Sequence, residues 1–254
     1  MVRHFRCTQC GRCCYGLLPL TCNDAFAHAD LFPLGFVWTA LRPGSKDYNH
    51  TASLGAIVPV PGGTSLAVQI TPTAFIPAIF TCPALREDNR CSLHDTNKPL
   101  RCRTMPLYPY REERFQSDVL TPRAGWMCDM SESAPVIFNG TTIVCRDDFD
   151  RELGELMAQV PLLRRYADYM LKYTPWLTGS LQQIAGKGGG TVVTSLSSFL
   201  TATRNTDAQN IARQQLPVLK AFVERTAGNA PLKEFHAHYV NWEKEMSYVA
   251  KRAP

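Results

Sequence analysis

The second half of the chain has the hydrophobic periodicity of amphipathic helices. The segment DDFDRELGELMAQ, from Asp147, begins with acidic residues and places Leu153, Leu156 and Met157 on one helical face. Pro161 suits the first turn of a following helix, PLLRRYADYMLKY. A helix that packs its apolar stripe on its own domain is predicted near the C-terminus from residues spaced by four and three, namely Phe235, Tyr239, Trp242, Met246 and Val249.

The first half lacks this periodicity and contains short extended segments instead. GAIVPVP and TSLAVQITP flank Pro61-Gly62-Gly63, a pattern that predicts two short strands joined by a turn. Further along, rigid turns rather than helix are predicted around Pro99, Pro106 and Pro109.

These patterns predict an α+β chain with two parts. Residues 1–130 would form a loop-rich, metal-centred domain with a short hairpin, and residues 131–254 a mostly helical region. The stretch AGKGGGT at 185–191 has neither the order nor the spacing of a phosphate-binding loop. It predicts a helix end or a flexible break instead.

Charge and hydropathy narrow the range of partners. The chain has 27 Lys and Arg against 22 Asp and Glu, spread evenly, which does not favour a nucleic-acid-binding stripe. No apolar run reaches the ~20 residues of a membrane helix, and the N-terminal MVRHFRCTQCGRCC has no apolar signal core. We therefore expect a cytoplasmic protein without a membrane partner.

Candidate chemistry is concentrated in CTQCGRCC, which holds Cys7, Cys10, Cys13 and Cys14. Ten cysteines in 254 residues fall below the ~8–10% of disulfide scaffolds, and the reducing cytoplasm keeps thiols open. Adjacent cysteines also rarely meet disulfide geometry. Thiolates two residues apart on a turn that includes Gly11 are typical of a metal site. A redox switch and a structural disulfide are the alternatives.

Four ligands from one octapeptide would be crowded, so further cysteines are expected to contribute. The downstream candidates are Cys82, Cys91, Cys102 and Cys128. Eight thiols suffice for two four-thiolate sites or one polynuclear centre. Arg101 and Arg103 flank Cys102, where cations are expected to lower the thiol pKa and to offset the negative charge of the site.

The two cysteine blocks resemble the YkgJ-like cysteine-cluster family, whose members are described as zinc- or iron-chelating. CTQCGRCC matches the family signature, and CPALREDNRCSLHDTNKPLRCRTMPLYP resembles its downstream half, with Lys98–Pro99 in place of Arg-Pro. The resemblance covers about 50 residues. It implies that the ligands are Cys7, Cys10, Cys13, Cys14, Cys82, Cys91 and Cys102, with Cys128 added. Cys22 and Cys145 lie outside the pattern and are predicted to be ordinary buried residues.

The identity of the metal stays open between iron–sulfur and zinc. Cys7, Cys10 and Cys13 reproduce the C-x2-C-x2-C run of bacterial ferredoxins, which favours an iron–sulfur cluster slightly. His94 is a weaker candidate ligand.

Two other functions remain as alternatives to metal binding with an unassigned role. One is a metal-cluster-dependent protein-modifying enzyme, such as a lysine N-methyltransferase, because flagellin lysine N-methylases are related to this family. Its partner would be a protein substrate. The other is a redox sensor or electron carrier.

Overall fold

A computed structural model describes residues 2–120 and 125–251. Helices account for 45% and strands for 17% of the chain, which confirms the α+β class. The strands are β1 (Val2–His4), β2 (Leu18–Pro19), β3 (Leu34–Leu41), β4 (Ala56–Pro59), β5 (Ser65–Ala74), β6 (Val136–Asn139), β7 (Thr142–Ile143) and β8 (Val192–Ser195). The helices are α1 (Cys22–Ala27), α2 (Tyr48–Leu54), α3 (Leu100–Thr104), α4 (Asp147–Ala158), α5 (Val160–Tyr173), α6 (Trp176–Gly186), α7 (Leu196–Thr203), α8 (Ala208–Thr226) and α9 (Lys233–Lys251). Short 3-10 turns cover Glu113–Asp118 and Ala230–Leu232.

The larger sheet is antiparallel, with the strand order β2-β5-β3-β8 and with β4 also paired to β5. β4 and β5 form the predicted hairpin, in which Ala56 pairs with Val68 and Pro59 with Ser65. β3 lies between β5 and β8, and most of its residues are buried. This position explains its apolar sequence, LGFVWTAL, since a central strand covered on both faces loses the polar alternation of a half-exposed one.

A smaller antiparallel sheet has the order β1-β6-β7. It joins the N-terminus to a segment about 135 residues later, because Val2 pairs with Asn139 and His4 with Val136. A second hydrophobic cluster supports this sheet and consists of Phe5, Leu107, Leu120, Ile137, Phe138, Ile143 and Phe149, with Cys128 packed against it.

The predicted helices α4, α5 and α9 are confirmed, and Pro161 lies in the first turn of α5. The predicted face of α4 is partly wrong, because Met157 is 60% exposed. The buried residues of α4 are Phe149, Glu152 and Leu156. The carboxylate of Glu152 is buried through an ion pair with Arg101, which a hydrophobicity pattern does not register.

The apolar stripe of α9 packs on the protein's own larger sheet, as predicted. Tyr239, Trp242 and Met246 are buried, and Phe75 contacts the ring of Trp242 with centroids 5.3 Å apart. A Cβ atom at Gly35 would lie 2.4 Å from the Trp242 ring. The close approach of α9 to β3 therefore requires glycine at that position.

One hydrophobic core connects the two halves of the chain. It contains Trp38 from β3, Tyr166 from α5 and Tyr239 from α9. Trp38 Nε1 donates to Thr194 Oγ1 at 2.8 Å, and this hydroxyl also lies 2.7 Å from the Tyr166 hydroxyl. The division at residue 130 stays a prediction, and the large sheet and its core contain elements from both sides of that position.

Two local expectations can be compared with the backbone. The AGKGGGT stretch begins inside α6, which ends at Gly186, so the predicted helix end is confirmed. The expectation that prolines exclude helix near Cys102 is wrong, because α3 is helical from Leu100 to Thr104. Pro99 precedes the first turn of α3 and therefore removes none of its hydrogen bonds.

Within the described residues, no helix is both long and apolar enough to span a membrane.

Candidate metal centre

A short antiparallel contact brings the two cysteine blocks together. The Cys82 amide donates to the Cys14 carbonyl at 2.8 Å, and Tyr15 forms an antiparallel bridge with Thr81. This contact continues the β2–β5 pairing, in which Leu18 pairs with Ala74. Cys14 and Cys82 are therefore fixed side by side although 67 residues separate them in the chain.

Gly11 forms the second contact between the blocks. Its φ of +71° lies in the left-handed region, which favours glycine. A Cβ atom there would lie 3.1 Å from Leu85 Cδ1 and 3.2 Å from the Asn89 carbonyl oxygen. The Gly11 carbonyl accepts from the Cys14 amide at 3.0 Å, which closes the turn between Cys10 and Cys14.

Cys128 is placed by a separate backbone pairing with the N-terminal segment. Arg6 and Asp129 exchange two backbone hydrogen bonds, with N–O distances of 2.8 and 3.1 Å. Thr8 Oγ1 donates to the Met127 carbonyl at 2.9 Å. These bonds hold Cys128 beside the segment that carries Cys7.

The last two candidate ligands come from a hairpin and a helix. Cys91 pairs with Leu85 in an isolated antiparallel bridge. Cys102 lies in α3, and its amide donates to the Pro99 carbonyl at 2.9 Å. All ten cysteines of the chain are free thiols.

The first set of neighbouring thiols, here called the outer thiol group, consists of Cys7, Cys10 and Cys128. Burial raises the pKa of Cys128 to about 11, and the nearby thiols of Cys10, Cys7 and Cys13 contribute to that rise. Burial also raises the pKa of Cys10, but hydrogen bonds from the Arg12 and Met127 backbones and from the Thr8 side chain together outweigh it and leave that pKa lowered.

The second set, the inner thiol group, consists of Cys14, Cys82, Cys91 and Cys102. Burial, followed by the neighbouring Cys91 and Cys13 thiols, raises the pKa of Cys82 to about 11. Burial and the Cys82 and Cys13 thiols raise the pKa of Cys102. Because Cys13 influences members of both groups, it lies between them.

Cys13 and Cys14 differ in their protonation despite being adjacent. A hydrogen bond from the Cys14 thiol is the main cause that lowers the pKa of Cys13 to about 6. The same hydrogen bond is the main cause that raises the pKa of Cys14. The thiolate form is therefore favoured on Cys13 over Cys14.

The donor chemistry of these groups fits a thiophilic metal, since thiolates are the usual ligands of structural zinc and of iron–sulfur clusters. As they stand, however, no three His, Cys, Asp or Glu side chains converge closely enough to hold an ion in residues 2–120 and 125–251. Metal binding would therefore require thiol side chains to turn toward a shared centre.

The cations near the thiols have different roles from those expected. Arg101 is buried in an ion pair with Glu152 of α4 at 3.4 Å, and Arg103 pairs with Asp148 at 2.7 Å. Arg101 lowers the pKa of Cys102, as expected of a flanking cation, but burial outweighs this effect and the pKa is raised overall. Sequence reasoning missed Lys98, whose ammonium acts on Cys102 more strongly than Arg101 does.

His94 lies between the two blocks as a hydrogen-bonding residue. Its Nδ1 is 3.4 Å from Lys98 Nζ, and its Nε2 is 3.0 Å from the Gln9 side-chain amide. The Gln9 atom in this contact is the amide nitrogen, which only donates, so His94 Nε2 is the acceptor. The Nε2 lone pair is therefore used by the hydrogen bond from Gln9, which favours a structural role for His94.

The two cysteines outside the pattern differ from each other. Cys22 is 5% exposed, as predicted, and its amide donates to Gln159 Oε1 at 2.8 Å. The prediction that Cys145 is buried is wrong, because this residue is exposed. It lies in the short surface connection between β7 and α4, where its thiol donates to the Val136 carbonyl at 3.4 Å.

A cavity of about 750 Å³ opens beside the thiol groups. Cys10 and Cys91 both line it, and the remaining lining residues are mostly polar. The volume is within the range of small-molecule sites, roughly 300–1,000 Å³.

A comparison of the chain with family models, curated proteins and solved structures finds no match in any of the three. The resemblance of the cysteine blocks to the YkgJ-like family therefore stays a prediction.

Proposed function

We propose that this protein binds a metal centre through cysteine thiolates contributed by both thiol groups. The main support is that cysteines scattered between positions 7 and 128 are neighbours in the fold and influence one another's pKa. In this proposal the metal organises the loop-rich N-terminal part of the chain. Thiolate ligands must stay reduced, so we also propose that the protein works in the cytoplasm.

We favour an iron–sulfur cluster over zinc as the bound centre. The support is the C-x2-C-x2-C run of Cys7, Cys10 and Cys13, which is typical of bacterial ferredoxins. Zinc is the alternative, because four thiolates also suit tetrahedral zinc. The resemblance to the YkgJ-like family supports either metal.

Cysteine-to-serine variants of the full chain, purified anaerobically, test this proposal. Cys10→Ser removes a thiolate from the outer group, and Cys102→Ser removes one from the inner group. Each variant is expected to lose metal, measured as iron, zinc and acid-labile sulfide per chain. Cys145→Ser is the matched control and is expected to keep the wild-type content, since Cys145 lies outside both groups. Full metal loading of the Cys10→Ser, Cys102→Ser double variant would contradict the proposal.

A metal-dependent enzyme that modifies protein side chains is a second candidate. The cavity beside Cys10 and Cys91 favours it, because a purely structural metal site needs no adjoining pocket. For the methyltransferase version, calorimetric titration of S-adenosylmethionine into metal-loaded protein is expected to show saturable binding. Absence of binding at millimolar ligand would exclude that version and leave the metal proposal intact.

A further inference from the structure

Arg86 and Arg90 face each other across a tight hairpin. Leu85 and Cys91 form an antiparallel bridge, and the Arg86 amide donates to the Arg90 carbonyl at 2.9 Å. The turn between them is closed by the Asn89 amide, which donates to the Arg86 carbonyl at 3.0 Å. In this register Arg86 and Arg90 are directly opposite, so their side chains leave the same face of the hairpin.

These two cations have no carboxylate partner among residues 2–120 and 125–251. Like charges directly opposite each other in an antiparallel pair are destabilising. The nearest acidic residues of the turn are Glu87 and Asp88, and Asp88 Oδ1 accepts from the Arg90 amide at 3.0 Å. The hairpin therefore projects two exposed guanidinium groups from one face, and no carboxylate in the described part of the chain forms an ion pair with them.

Both arginines line the cavity that also reaches Cys10 and Cys91. The carboxylate of Asp95 lies at the same cavity, but its side chain is 95% exposed and sits 4.0 Å from His94 Nε2. Asp88 also lines it. Hydroxyl and amide groups complete the polar lining and belong to Thr8, Gln9, Asn89, Ser92 and Thr96.

The backbone at Gln9, which also lines the cavity, is strained. Gln9 has a φ of +55°, a region that non-glycine residues adopt at a cost. Its side chain contacts His94 across the two cysteine blocks. Local strain of this kind is typical of functional sites, and here it coincides with the cavity rather than with the hydrophobic core.

We propose that Arg86 and Arg90 bind an oxyanion, the carboxylate or phosphate group of a small ligand, at this cavity. Planar guanidinium groups make paired hydrogen bonds with such groups, and an anion between them removes the repulsion of the empty hairpin. The bound group would lie beside Cys10 and Cys91. Only the placement of the bound group beside a metal centre at Cys10 and Cys91 rests on the proposed metal function. Anion binding by Arg86 and Arg90 does not depend on it.

Isothermal titration of inorganic phosphate and of succinate into the full-length protein, at constant ionic strength in chloride, tests the inference. We expect one saturable site per chain for at least one probe, and the tighter probe identifies the phosphate or the carboxylate. Arg86→Gln and Arg90→Gln should each weaken binding by about tenfold or more, the usual range for a lost charged hydrogen bond. Arg213→Gln, an exposed arginine of α8, is the control and should bind as wild type does.

Thermal unfolding without phosphate or succinate gives a second readout. Arg86→Gln should melt no lower than wild type, because it removes a like-charge contact. Binding of neither probe would overturn the inference. Equal binding by wild type and both hairpin variants would show an adventitious ion only and would also overturn it. Metal content measured on the same samples distinguishes failure of the anion-binding inference from failure of the metal proposal.

Discussion

Cys13 is the cysteine that influences the pKa of thiols in both groups. It influences the pKa of Cys14, Cys82, Cys102 and Cys128, so it belongs to the surroundings of both groups. A hydrogen bond from the Cys14 thiol lowers the pKa of Cys13 to about 6. A lowered pKa favours the thiolate, which is the form of cysteine that binds metal.

The low pKa of Cys13 predicts a selective reaction in metal-free, reduced protein. Iodoacetamide at about pH 7 should alkylate Cys13 before Cys82, because the thiolate is the nucleophile and the pKa of Cys82 is about 11. The Cys13 rate should rise with pH through about 6 and then level off, whereas the Cys82 rate should still be rising at about pH 9. Timed quenching and peptide mass mapping measure both. Equal rates at the two positions would count against this assignment.

The candidate ligand set was proposed from spacing and resemblance, and its role in metal binding stays a prediction. Seven of the eight candidate cysteines lie in the two thiol groups, Cys13 influences both groups, and Cys22 is buried as expected. Arg86 and Arg90 could not be paired from sequence, because their opposition depends on the register of a hairpin whose turn contains no glycine. The exposure of Cys145 was also unpredictable, since it depends on where a short loop crosses the surface.

At the scale of elements, the contact between the two cysteine loops depends on Gly11. Both its left-handed backbone and the close approach of Leu85 and Asn89 require the absence of a side chain. This contact sets the separation of the thiol groups without supplying a ligand.

Gly11→Ala is therefore expected to lower the metal content although every cysteine is retained. The added Cβ would press on Leu85 and on the Asn89 carbonyl and move the blocks apart. Gly44→Ala is the matched control: Gly44 also has a positive φ, +84°, but nothing lies within 4 Å of the added Cβ. Both variants should lose roughly 1–2 kcal/mol of backbone stability, and only Gly11→Ala should lose metal. Equal metal content in the two proteins would contradict the role given to this contact.

Two ion pairs, one buried and one at the surface, hold α3 against α4 and so position Cys102, which lies in α3. Arg101 and Glu152 have side chains that are only 4% and 2% exposed, and Arg101 also donates to the Leu107 carbonyl. Arg103 and Asp148 are 40% and 38% exposed. Breaking a buried pair leaves an uncompensated charge in the interior, whereas a surface pair is weak.

Glu152→Ala should reduce the free energy of unfolding by about 3–5 kcal/mol, since it leaves the Arg101 guanidinium buried without its carboxylate. Asp148→Ala on the same helix should cost less than about 1 kcal/mol. Urea unfolding followed by circular dichroism measures both. A similar loss in the two variants would mean that the buried pair does not hold this interface.

Element prediction succeeded where the signal is local. The β4–β5 hairpin follows from its turn residues, and α4, α5 and α9 follow from periodicity and helix-start signals. The pairing of β8 with β3 and of β1 with β6 joins segments more than 100 residues apart. Such pairing is decided by burial in the complete fold rather than by local sequence.

At the scale of the whole molecule, the candidate thiols lie outside the strands of both sheets, and Cys102 lies in α3. The larger sheet places Cys14 and Cys82 through the β2–β5 pairing and its extension. The smaller sheet and its cluster place Cys128. Helices α5 to α9 cover the larger sheet and share its core. The C-terminal half therefore supports the site without contributing a candidate ligand.

X-ray absorption spectroscopy of the anaerobically purified protein measures the coordination of the metal most directly. Sulfur-only coordination is expected around iron or zinc, at about 2.3 Å in the case of zinc. For iron, a second shell of iron neighbours is expected as well. A shell of nitrogen and oxygen, or protein that contains no metal and has its cysteines linked to one another as disulfides, would contradict the account.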